Sequence, residues 1–85
     1  MKSLCQAIIW SACFLEMSDD DVVDPDSAVK ALEDMAATLQ GATKEEKEAF
    51  VATCAAEADH LEKEVGQPYL KTAVFIRGLP SALGL

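Results

Sequence analysis

The sequence predicts an all-α fold: a single domain, residues 1–85, folded as a compact bundle of about four helices with an apolar N-terminal helix at its centre. Three observations predict it. Apolar residues recur at three- and four-residue spacing through most of the chain, as on one face of a helix. Strong helix-start signals stand at Asp24-Pro25 and at Thr43-Lys44-Glu45-Glu46, with Gly41, Gly66 and Gly78 as stops. No alternating segment bounded by turn residues reads as a strand.

The first helix is Leu4 to Leu15, LCQAIIWSACFL, the most apolar run in the chain and the site of Trp10 and two of the three cysteines. Leu4, Ile8, Ser11 and Leu15 share one face, and Ile9, Cys13 and Ala12 lie beside it. Trp10, Phe14 and Met17 cover much of the rest, so the helix is expected to need cover on several sides. Aspartate at Ile8 or Phe14 is therefore expected to unfold the domain. A run of about 12 apolar residues is too short for a membrane span, which needs about 20. Its length and the preceding Lys2 also match a secretory signal, but no small-x-small cleavage site follows. The favoured reading is a retained core helix.

Residues 16–26, EMSDDDVVDPD, connect the first two helices. Asp24 is suited to the N-cap, Pro25 to the first helical position and Asp26 to the positive end of the helix dipole. Asp19, Asp20 and Asp21 have no capping role and are free to form a contact surface. A calcium loop is not expected, because Val22 and Val23 fall at ligand positions and the glycine is missing. The second helix runs from about Pro25 to Gln40. Ala28 or Val29, Leu32, Met35 or Ala36, and Leu39 make its stripe, with Lys30, Glu33 and Asp34 away from the centre.

Thr43 and Glu46 form a capping box that starts the third helix. It extends to about Val65, with Phe50, Cys54, Ala58, Leu61 and Val65 as its stripe and Val51 and Ala55 at the edges. The fourth segment, Tyr69 to Arg77, places Leu70, Ala73, Val74 and Arg77 on one face and ends at Gly78. The tail after it, with Leu79 and Leu83, is expected to dock on the core.

Composition narrows the function. The net charge is −8 with pI near 4.3. Phosphate backbones and anionic membranes need clustered Lys and Arg, so neither nucleic acid nor membrane is an expected partner. A basic protein is, since long-range attraction would steer it into contact. The three cysteines lack CxxC spacing. Cys5 and Cys13, about 12 Å apart along one helix, cannot form a disulfide. Free thiols point to a reducing, cytoplasmic setting.

No catalytic constellation stands out, and no metal or cofactor is expected. His60 has Glu57 three residues before it and Glu64 four after it, but metal sites on helices draw ligands from several helices. Ser11 and Cys13 have no base near them in sequence, and no glycine-rich phosphate loop is present. The chain reads as a binding protein rather than an enzyme.

In its size, helical pattern, free cysteines and acidic segment SDDDVVDPD leading into VKALEDMAATL, the chain resembles, as a class, the small acidic helical immunity proteins of bacterial toxin systems. The resemblance implies neutralisation of a cognate toxin by occluding its active site. Acidic side chains would then meet the toxin's basic residues, and Asp19, Asp20, Asp21, Glu33 and Asp34 are the candidates for that surface. The alternative is a non-catalytic homodimeric scaffold or accessory subunit, joined through exposed parts of Trp10 or Phe14.

Overall fold

Local chemistry sets where the helices begin. In the computed structural model, which describes all 85 residues, four α-helices follow one another and no strand forms: α1 Lys2–Met17, α2 Pro25–Leu39, α3 Lys44–His60 and α4 Leu70–Ala82. Asp24 caps α2 by accepting from the Ser27 amide and hydroxyl, both at 3.0 Å, and Pro25 opens the first turn. At α3 the capping box is complete. The Glu46 amide donates to the Thr43 hydroxyl at 3.1 Å, and the Thr43 amide donates to the Glu46 carboxylate at 2.8 Å.

The core is apolar throughout, with no buried polar or charged side chain. Ile9, Phe50, Ile76 and Leu79 are its largest fully enclosed members, and Cys54 sits among them. α3 packs along α4 and α1, and α1 touches all three other helices. α2 is held mainly by α1. Only its Ala28 is buried, while Leu32, Met35, Ala36 and Leu39 pack partly against the core. Its C-terminal end is tied to the chain end by Gln40, whose amide donates to the Leu83 carbonyl at 3.1 Å.

α1 is not covered on all sides. Cys5, Ile9, Ala12 and Cys13 face inward, whereas Leu4 is 68% exposed and Phe14 56%. The molecule measures 35 × 33 × 19 Å. A helix with its side chains is about 10 Å across, so the slab is two helices thick and each helix keeps an outer face. Phe14 to aspartate is therefore compatible with folding, and Ile9 is the position where a charge would be fatal.

The third helix changes pitch before it stops. Leu61–Val65 forms a π turn, and Gly66 ends it with its amide bonded to the Leu61 carbonyl. The wider turn rotates Val65 out of the stripe of Phe50, Cys54, Ala58 and Leu61, and Val65 is exposed along with Val51 and Ala55. A cis peptide joins Gln67 and Pro68.

α4 departs furthest from the sequence reading. It runs through Gly78 and Pro80 to Ala82, and its buried face is Ala73, Ile76, Leu79 and, just beyond its end, Leu83. Val74 is 71% exposed. A helical glycine costs about 1 kcal/mol relative to alanine. Burying Leu79 and Leu83 recovers roughly 1.5–3 kcal/mol for each side chain, so Gly78 does not stop the helix. Arg77, on the outer side, bonds Asp59 at 2.8 Å and Glu62 at 3.1 Å and straps α4 to the end of α3 and to the π turn.

Two glycines separate backbone strain from packing. A Cβ at Gly66 or at Gly78 would meet no atom within 4 Å. Gly66 has φ 71° and ψ −143°, a region nearly closed to other residues, whereas Gly78 is helical. Gly66→Ala is expected to destabilise by about 1–3 kcal/mol, and Gly78→Ala to stabilise by about 0.5–1 kcal/mol. Urea melts of the two variants check this, and equal signs would contradict it.

Candidate functional site

The five acidic candidates do not form one patch. Asp19, Asp20 and Asp21 are exposed in the turn after α1, where the Val22 and Val23 amides bond the Asp19 carbonyl at 2.9 and 3.0 Å. Their carboxylates take part in no side-chain hydrogen bond or ion pair, and they follow the negative end of a helix with no basic residue in its last turn. Glu33 and Asp34 lie more than two turns into α2, roughly 12 Å from its start by helix rise.

Adjacent in sequence, Glu33 and Asp34 are about 100° apart around α2 and border different grooves. Asp34 edges a cleft of about 400 Å³ between α1 and α2, lined by Ile8, Ala31, Met35, Thr38 and Leu39. It also faces Lys30 at 3.5 Å, with both side chains largely in water, a pair that contributes little. Glu33 edges a second groove of about 380 Å³ where α1, α2 and α4 meet. Val29, Leu32, Phe75 and Leu79 contribute its apolar lining, and Glu16 of α1 shares the rim with Glu33.

Glu16 is therefore a site residue that the sequence reading missed. Its one available signal was that it is the only acidic residue in α1. Phe75 was legible as apolar, but its place in the groove depends on the true buried face of α4.

The features read for possible chemistry are otherwise engaged. Glu57 accepts a hydrogen bond from the Gln6 side chain at 2.6 Å, joining α3 to α1. Glu64 lies in the π turn, out of α-helical register with the exposed His60. No group of three His, Cys, Asp or Glu has a metal-holding arrangement. The Ser11 hydroxyl donates to the Ala7 carbonyl at 2.8 Å.

Cys5, Cys13 and Cys54 are free and buried. Burial pushes the Cys13 thiol from 9.0 to about 11. It pushes Cys54 to about 12, with Cys5 and Cys13 close enough to raise it further. These shifts oppose the lowered pKa of a nucleophilic thiolate. At Asp59, the hydrogen bond from Arg77 is the main cause of a lowered pKa. No helix is long and apolar enough to cross a membrane.

No protein-family model matches the sequence, and comparison with curated proteins and with solved structures finds no match.

The raised thiols make the fold sensitive to base. In the unfolded chain they ionise near 9.0, and in the folded protein only near 11 and 12. The stability they support is full below pH 9 and is lost as pH rises through the folded values. Between these limits each thiol contributes a slope of about −1.4 kcal/mol per pH unit. Urea midpoints are expected to fall steeply above pH 9, and less steeply in Cys54→Ala. Identical slopes would remove Cys54 as a cause.

Proposed function

We propose that this chain is a small acidic binding protein without catalytic activity, and that it acts as an immunity-type inhibitor of a basic toxin in the cytoplasm. One observation carries the proposal: the groove between α1, α2 and α4 combines an apolar lining with two exposed carboxylates, Glu16 and Glu33, on its rim. Such a groove suits a partner that inserts an apolar side chain flanked by Lys or Arg. The apolar contact supplies affinity, and the acids supply speed and selectivity of association. Asp19, Asp20 and Asp21 extend the negative field beyond α1, and Asp34 adds to it from the far side of α2. Inhibition follows by occlusion if the partner's basic residues serve its own substrate. The free thiols support a reducing compartment.

Affinity capture on the immobilised protein from lysate of the source organism, with elution by rising salt, tests this. The expected result is a basic protein whose retention drops at least tenfold for Glu16→Lys/Glu33→Lys and less for Asp34→Lys. Loss of the partner's own activity at a one-to-one ratio supports the inhibitor form. Capture of no basic protein, or retention indifferent to the double variant, overturns the reading.

A further inference from the structure

The most enclosed void in the molecule lies away from the acidic groove and shares no residue with it. Its volume is about 120 Å³, and it sits where the first two turns of α1, the end of α2, the turn into α3 and the chain end converge. Hydrogen bonds hold that junction together. The Gln40 amide donates to the Leu83 and Gly84 carbonyls at 3.1 and 3.3 Å, and the Leu85 amide donates to the Pro80 carbonyl at 2.8 Å. Leu85 is thereby kept in the chamber wall. Close-packed interiors leave few voids larger than a water molecule, so a space of this size is exceptional in so small a core.

The lining identifies the occupant. Eight of its ten residues are apolar, and no buried side-chain nitrogen or oxygen in the molecule lacks a partner. No side chain there calls for a bridging water, and apolar cavities stay dry. The two charged residues of the lining, Glu46 and Lys47, have opposite signs, and the Glu46 carboxylate already accepts from the Thr43 amide at 2.8 Å. They give no preference for an ion of either sign, and an ion entering apolar space loses its hydration. A neutral guest meets no such cost. Met1 and Cys5 bring sulfur to the wall and Phe50 brings a ring, and both pack favourably against an aromatic guest. A dry cavity of about 150 Å³ lined by leucine, isoleucine and phenylalanine holds benzene. The chamber here, at about 120 Å³, has room for one ring and not for a fused pair.

A way in is also present. Ile8 and Leu39 line both the chamber and the open cleft of about 400 Å³ between α1 and α2. α2, with only Ala28 buried, is the helix least held by the core, so its outward movement parts these two side chains at the lowest cost.

We infer that this chamber is a binding site for small, neutral, single-ring aromatic molecules, entered from the cleft between α1 and α2. The inference is independent of the acidic groove and of any protein partner.

Toluene titrated into the protein and followed by NMR of the methionine methyl groups tests it. Met1 lines the chamber and Met35 the cleft outside it, whereas Met17 lines neither. The expected result is a saturable shift at Met1 with sub-millimolar affinity, a smaller one at Met35 and none at Met17. Benzoate, the same ring with a charge, should bind at least tenfold more weakly. Ala42→Leu fills the chamber and should weaken toluene binding at least tenfold while keeping native helicity. Leu39→Ala widens it and should admit naphthalene, which the unaltered protein excludes. No saturation by toluene overturns the inference, as does a shift at Met17 equal to that at Met1 or a folded Ala42→Leu that binds as before. Benzoate bound as well as toluene overturns the neutral class, and naphthalene bound equally with and without Leu39→Ala overturns the single-ring limit.

Discussion

The depth of the molecule governs the rest of the structure. With a shortest dimension of 19 Å, it is two helices deep, and burial is available only along the plane between the layers. That plane is thin because small residues occupy much of it. Ala12, Ala58, Ala73 and the three cysteines are buried beside the larger Ile9, Phe50, Ile76 and Leu79. Small side chains where helices meet bring backbones together, and a few large ones fill what remains, as dense packing requires. Cysteine here is a small apolar residue, and its raised pKa values follow from that placement.

The same constraint explains which parts of the fold were legible in the sequence. Capping is local chemistry, so Asp24-Pro25 and the Thr43–Glu46 box mark helix starts without reference to tertiary structure. The α3 stripe through Phe50, Cys54, Ala58 and Leu61 was legible because these residues recur at three- and four-residue spacing, and most of their neighbours are alanines or polar residues too small or too hydrophilic to compete for the core. α1 was not, because apolar residues occupy nearly every side and periodicity no longer distinguishes core from surface. Leu4 and Phe14 look as buried in the sequence as Ile9. At α4, Gly78 looks like a stop, but the burial of Leu79 and Leu83 outweighs its local cost. The π turn at Leu61–Val65 has no sequence mark, and it turns Val65 away from the core.

The acidic surface was legible as composition and not as geometry. Glu33 and Asp34 are neighbours in the chain and border different grooves, because a helix turns by about 100° at each residue. Glu16 and Glu33 are 17 positions apart and share a rim, because α2 folds back against α1. A run of acids therefore locates negative charge along the chain, while the groove that gives this charge an apolar companion exists only after α1, α2 and α4 have packed.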